Sequence, residues 1–393
     1  MLIELPRQTE VFGSVKIHEL QRILKLDSGG FENPRAKDIP FDDLKDVLKR
    51  FAVIIPTKDE KIHLLDGVLR AIPFDCTVIV VSNSTRKKHD LYKMETEAIT
   101  SLHERTQQEI IVIHQKDPEL GLAFYDAGYD CLLSKNGLVR NGKAEGMIIG
   151  MLLAKSMGKD FIGFADADNY IPGSVREYVL DYAAGFCMSE SPYSMVRLHW
   201  RYKPKVVEDK LYFKKWGRVS EATNRYLNLL LSTNSGFETG VVVTGNAGEH
   251  AMTIKLADIM CYSPGYSVEP YHFVYLFDVF GHKAEKIAYP DAEAAGIEIF
   301  QIETLNPHIH EEKGREHIKK MLLGSLGTIY NSKLCNDYVR SKVLEELGDI
   351  LDTWEKTPEV TVMPPIGGID ADRFMDVLER KSETLVRYEE TRR

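Results

Sequence analysis

The chain has 393 residues, 44% hydrophobic and 28% charged, with 50 basic residues against 59 acidic ones for a net charge of −9. That length holds one large domain with appendages or two domains, and the composition is that of an ordinary globular protein. The acidic balance argues against a nucleic-acid partner, which asks for a basic face, and no apolar run approaches the length of a membrane span.

Five cysteines, Cys76, Cys131, Cys187, Cys261 and Cys335, are scattered with no Cys-x-x-Cys pair. They read as reduced thiols of a cytosolic protein. Glu4, Arg7 and Glu10 leave no apolar signal core near the start, so no secretory signal is expected and the protein is expected to be cytoplasmic.

Residues 1–50 form an N-terminal segment expected to pack on the core. Within it 15–26 is apolar-periodic, and 41–51 reads as a helix feeding the first strand. The β-branched run Ala52-Val53-Ile54-Ile55, closed by Pro56, is that strand. A helix over 61–71, a strand over 77–81, a polar helix over 89–106 and a strand over 109–113 follow. Such alternation predicts a doubly wound, mainly parallel sheet flanked by helices. Polar clusters end the strands at 57–60, 82–85 and 114–117, and ligands of open parallel sheets bind beyond the carboxyl ends of strands.

Gly137 to Lys143 nearly spells a P-loop. Ala144 supplies no metal-binding hydroxyl, however, and no apolar strand leads into the loop. A phosphate site at a helix start remains, with Gly142 and Lys143 beside Arg140 and Asn141.

The fourth strand, 161–165, ends in Asp166-Ala167-Asp168-Asn169-Tyr170-Ile171-Pro172-Gly173. Most Asp-x-Asp pairs are solvated turns or helix caps. At the end of a buried strand, two close carboxylates instead call for a cation between them, and a divalent ion such as magnesium suits hard oxygens and substrate phosphate. Tyr170 and Ile171 exclude an EF-hand loop, which needs an oxygen ligand and a glycine there.

Beyond the motif, a helix over 175–186, a strand over 194–200 and helical segments over 208–233 are expected. Arg201 and Lys203 lie in a basic-aromatic run that reads either as a solvated edge or as the wall of an anionic site. A β-branched strand is expected to lead into Thr244-Gly245-Asn246-Ala247-Gly248, with an apolar helix from about Met252, in the order of an anion cradle. His308 and His310 follow an apolar strand over 296–302, and one imidazole is expected to face the metal. Helices over 314–333, 337–355 and 371–390 end the chain. They are read as packing or oligomerisation surface and leave room for a homodimer.

Together the strand ends, the Asp166–Gly173 motif, the run from Val196 to Lys205, Thr244–His250 and Asn306–Glu311 closely resemble the mannosyl-3-phosphoglycerate synthases, retaining GT-A glycosyltransferases that make the precursor of the compatible solute mannosylglycerate. The resemblance covers nearly the whole chain. It implies a GT-A catalytic domain over 51–305, a metal loop and helical C-terminal region over 306–393, and transfer of mannose from GDP-mannose to 3-phospho-D-glycerate with retention. It also implies a divalent ion: magnesium first, with manganese, cobalt or zinc as alternatives.

Carried over, Pro56, Thr57 and Glu60 lie along the nucleotide, and Ser82, Asn83, Gln115 and Lys116 complete its base and ribose pocket. Lys143 meets the diphosphate. Asp168 and His308 bind the metal, with His310 as the other candidate imidazole, and Asp166 lies by the ribose or a metal-bound water. Gly245, Asn246, Ala247 and Gly248 hold the acceptor, with Thr244, Arg140, Asn141 and Arg201 as further substrate contacts. Asp166, Asp168 and Lys143 are the expected catalytic groups. Rival readings are glucosyl-3-phosphoglycerate synthesis and a non-catalytic sugar-nucleotide-binding protein. A nucleotidyltransferase is disfavoured, because Pro56-Thr57-Lys58-Asp59-Glu60 stands where its glycine-rich signature belongs.

Overall fold

A computed structural model describes residues 1–26, 35–87, 89–202, 204–208, 210–212, 218–281, 288–311, 314–351 and 358–389. Among these, one long mixed sheet carries the molecule. From one edge its strands run Val386–Tyr388, Ile110–His114, Thr77–Ser82, Phe51–Thr57, Phe161–Phe164, His250–Thr253, Ser194–His199, Ile297–Glu303, Gln21–Lys25, Leu2–Glu4 and Ala36–Asp38.

The four expected parallel strands pair as the alternation requires, with Ala52 opposite Thr77, Val78 opposite Ile110, and Phe51 opposite Phe161. Their polar ends therefore share one edge. These strands read as continuous apolar runs because both faces are covered. Ile54, Ile79 and Ile111 pack on one side, and Val53, Val78, Val80 and Val112 on the other. The helix Lys143–Ser156 lies on the first side so closely that a Cβ on Gly150 would stand 2.4 Å from Ile54 Cγ2.

Several expectations need correction. The periodic stretch 15–26 is two strands, Val15–His18 and Gln21–Lys25, which join the sheet beside Ile297–Glu303. Residues 208–233 are not all helical: Lys205–Val207 and Lys210–Tyr212 form an antiparallel pair before the helix Arg218–Ser235. Lys203 lies outside the described residues.

The β-branched run 241–243 is irregular rather than a strand. Side-chain amides do the work of a neighbouring strand there. Val242 N–H donates to Asn228 Oδ1 at 2.9 Å and Val243 N–H to Gln301 Oε1 at 2.8 Å, while Asn228, Asn224 and Gln301 amides donate to the carbonyls of Val242, Val243 and Val241. The strand instead comes later, at His250–Thr253, antiparallel to both neighbours, and Thr253 caps the helix Ile254–Ile259. At the end of the chain the helix is Ala371–Lys381, and Val386–Tyr388 then covers the edge of Ile110–His114. Asp117 fastens this return, accepting from Ser382 Oγ at 2.7 Å and Thr384 N–H at 3.2 Å.

Candidate active site

The strand ends at the carboxyl edge are tied together from beneath. Glu95, buried in the helix Leu91–Thr106, accepts hydroxyl protons from Ser82 and Ser84, both at 2.6 Å, and from Thr57 at 3.5 Å. Burial raises the Glu95 pKa against these hydrogen bonds. The Thr57 and Ser82 hydroxyls are thus turned toward Glu95. Pro56 and Glu60 are half-buried on the same edge. Asn83 Nδ2 donates to Asn141 Oδ1 at 3.1 Å, Gln115 Nε2 to the Arg140 carbonyl at 2.6 Å, and Lys116 Nζ to the Val139 carbonyl. The expected nucleotide residues and the 139–142 loop therefore form one wall. Arg140 is turned onto Glu145, 3.9 Å away, and Met363 Sδ.

Gly142 begins the helix Lys143–Ser156, as expected of a phosphate site. Lys143 Nζ reaches across to the Asp-x-Asp strand, 2.8 Å from Asp166 Oδ1, and also lies 3.1 Å from Glu269 Oε1. Burial alone would lower its pKa, but Asp166 and Glu269 outweigh it and hold it well above the ordinary lysine value. The site thus carries a fixed cation. Gly248 sits against it: a Cβ there would lie 3.0 Å from Lys143 Nζ and 3.1 Å from Asp166 Oδ2.

The loop after Ile297–Glu303 is laid over the Asp-x-Asp turn. Tyr170 N–H donates to the Ile309 carbonyl at 2.9 Å, Ser174 Oγ to the Pro307 carbonyl at 3.0 Å, and Glu177 receives Asn306 N–H at 3.0 Å. This brings buried His308 to Glu249, with Nδ1 2.9 Å from Oε1, and Asn169 Nδ2 3.4 Å from the same nitrogen. Burial opposes the His308 charge, yet Glu249, then Asp168 and Asp166, raise its pKa.

Asp166, Glu249 and His308 bring their donor atoms within 4.8 Å of one another, a donor set of two carboxylates and an imidazole that suits a divalent cation. Asp168 is buried close enough for its charge to act on His308. The His310 ring lies 5.0 Å from His308, with Nδ1 2.7 Å from the Glu311 carbonyl.

Thr244, Asn246 and Ala247 line a small cleft together with Trp200 and Ser220. Thr244 Oγ1 donates to Gln301 Oε1 at 2.9 Å, Gly245 N–H to Asn224 Oδ1 at 2.7 Å, and Asn246 Nδ2 to Ser325 Oγ at 3.0 Å. Arg201 is exposed. Glu249 and Glu269 escaped the sequence reading. Glu249 directly follows the glycine loop, which was a usable signal. Glu269 lies in the first turn of the mostly apolar helix Val268–Phe280, where an acidic residue looks like a favourable helix start.

The profile described as mannosyl-3-phosphoglycerate synthase matches residues 5–378. The mannosyl-3-phosphoglycerate synthase of Pyrococcus furiosus is 52% identical over 392 residues, 99% of this chain and 100% of that protein. The one from Aeropyrum pernix is 37% identical over 390 residues, 98% and 99% of the two chains. In fold, the chain is similar to glucosyl-3-phosphoglycerate synthase from Mycobacterium tuberculosis, solved with Mn2+, UDP-glucose and phosphoglyceric acid, at a TM-score of 0.52 and 19% identity over 80% of this chain and 90% of that one. The architecture is thus that of GT-A glycosyltransferases, and the chain belongs to the mannosyl-3-phosphoglycerate synthase family.

Proposed function

We propose that this enzyme transfers mannose from GDP-mannose to the 2-hydroxyl of 3-phospho-D-glycerate with retention, giving mannosyl-3-phosphoglycerate. The observation that carries the reading is the meeting of three parts. Lys143 and the Asp166–Glu249–His308 group stand at the carboxyl edge, and the Thr244–Gly248 loop touches both through Gly248.

GDP lies along Pro56, Thr57, Glu60, Asn83, Gln115 and Lys116, using backbone at Thr57 and Ser82, whose hydroxyls serve Glu95. Asp166, Asp168, Glu249 and His308 would hold a divalent ion, magnesium first, and His310 is a weaker candidate because its Nδ1 faces a carbonyl. When bound, that ion supplies positive charge against the leaving diphosphate. Lys143 does the same from the protein. Breaking the glycosyl–phosphate bond builds charge on the diphosphate, so a cation preorganised by Asp166 and Glu269 acts mainly in the transition state.

The acceptor's phosphate and carboxylate take the N–H donors of Asn246 and Gly248, while those of Gly245 and Ala247 hold the loop's own shape by bonding Asn224 Oδ1 and the Thr244 carbonyl. Retention proceeds by attack from the leaving-group side, the departing phosphate taking the acceptor proton. Mass spectrometry finding no glycosyl-enzyme adduct is the expected result. The reading assigns the enzyme to the cytoplasm, in keeping with its five free cysteines, and a homodimer, tested by light scattering, is its expected assembly. Among the described residues no helix is long and apolar enough to cross a membrane.

Incubation of the purified protein with magnesium, 3-phosphoglycerate and GDP-mannose, UDP-glucose or GDP-glucose in turn tests the reading. The expected product is mannosylated phosphoglycerate from GDP-mannose, lost in Asp168→Ala. Glucose transfer in preference to mannose would replace the donor assignment.

A further inference from the structure

Arg197 is fully buried in the middle of the sheet, on the Ser194–His199 strand. A buried guanidinium ordinarily pairs with a carboxylate. This one spends its donors on carbonyls. Nε and Nη2 donate to the Thr244 carbonyl at 3.0 and 2.8 Å, and Nη2 also reaches the Gly245 carbonyl at 3.3 Å and the Glu269 carbonyl at 3.2 Å. Nη1 faces His272 Nδ1 at 3.4 Å, and the group lies 4.7 Å from the Phe273 ring centre. Burial draws its pKa down to about 9, which leaves it cationic at neutral pH.

The partners are not random. Thr244 and Gly245 open the loop assigned to the acceptor, while Glu269 is the carboxylate that holds Lys143. A second buried group works the other end of the loop: His250 Nδ1 lies 3.1 Å from both the Ala247 and Gly248 carbonyls and, facing two acceptors, carries the ring proton. A trans peptide points its N–H away from its C=O, and no cis peptide is present among the described residues. Turning the Gly245 and Ala247 carbonyls onto Arg197 and His250 sends the N–H groups of Asn246 and Gly248 the other way. Backbone N–H groups gathered on one side of a loop make an anion-binding concavity.

We propose that Arg197 is a positioning residue that locks the 244–248 loop to the start of the Val268–Phe280 helix, aiming the loop's N–H groups at the acceptor's anionic groups and fixing the acceptor relative to Lys143. This rests on the proposed function. Arg197 touches no substrate. Its effect passes through the loop, so it belongs to acceptor binding and alignment rather than to nucleotide binding, which is built at the far strand ends.

The test uses Arg197→Lys and Arg197→Met in the full-length protein, both checked for folding by circular dichroism. Three readouts are taken: KM for 3-phosphoglycerate, Kd for GDP by calorimetry, and hydrogen exchange at residues 244–248. The expected result for Arg197→Met is a KM raised about tenfold or more, a GDP Kd changed less than about threefold, and faster exchange in the loop. Arg197→Lys, which keeps charge and some donors, falls between wild type and Arg197→Met, and stands in if the methionine variant does not fold. Unchanged KM and loop exchange in a folded variant, or equal weakening of GDP and acceptor, would overturn the proposal. Hydrogen exchange needs no turnover, so a wild type that bound GDP but failed to use 3-phosphoglycerate would count against the proposed function alone.

Discussion

Replacing Lys143 by methionine removes a cation from between two carboxylates, 2.8 Å from Asp166 and 3.1 Å from Glu269. Deleting one partner of a buried pair costs about 3–5 kcal/mol. The Asp166 side chain is 31% exposed and can rehydrate, whereas Glu269 at 7% cannot, so the low end, about 3 kcal/mol, applies. Unfolding entropy of about 2.1 cal/mol/K per residue over 393 residues converts this to a fall in Tm of roughly 4 °C. Catalysis should suffer far more. A preorganised cation facing the charge that develops on the leaving diphosphate is worth about 2.7–4 kcal/mol, or about 10²–10³ in kcat. The assay is initial rate at saturating acceptor and donor, alongside a melting curve. A variant that loses its few degrees of Tm yet keeps kcat within about threefold would show Lys143 to be a structural tie and refute its leaving-group role.

Gly248→Ala keeps an allowed backbone conformation but places a methyl 3.0 Å from Lys143 Nζ and 3.1 Å from Asp166 Oδ2. A displacement of the lysine on the order of 1 Å should cost about 100-fold in kcat with a nearly unchanged melting temperature. For the metal site, dialysis against a chelator should abolish turnover, and His308→Ala should raise the magnesium concentration needed for half-maximal rate about 10- to 100-fold. Away from the site, burial would raise the Glu298 pKa, but the His18 imidazole 3.7 Å away and hydrogen bonds from Ser189 Oγ and the Ser191 and Glu190 N–H groups outweigh it and bring it from 4.5 to about 2. Its stabilising contribution is therefore complete above about pH 5 and is lost as pH falls toward about 2, so urea unfolding should show the wild type's advantage over Glu298→Gln shrinking through that window.

The first half of the sheet was legible because its strands are continuous apolar runs broken by polar clusters, and parallel burial leaves that signature. The Lys143 helix start and the Asp166 turn were legible for a similar reason: chemistry-bearing residues ended hydrophobic segments. The 241–243 run misled because β-branched residues mark a strand only when another strand is there to pair with; here Asn224, Asn228 and Gln301 take that part from distant points in the chain. Glu249, Glu269 and Arg197 were hidden by the same non-locality. Only Glu249, beside the glycine loop, had a telling neighbour; the partners that give the three their meaning, His308 for Glu249, Lys143 for Glu269 and the 244–248 loop for Arg197, lie far along the chain. The end of the chain was read as helix throughout because Val386–Tyr388 is too short for periodicity to register; its place is set by Asp117 and by the open edge at Ile110–His114.

The most direct test of the account is the structure of the product made from GDP-α-mannose and 3-phosphoglycerate, solved by two-dimensional NMR. An α-linked mannose on the 2-hydroxyl of 3-phosphoglycerate is the result the account requires. A β-linkage, another attachment point, or free mannose as the main product would contradict it.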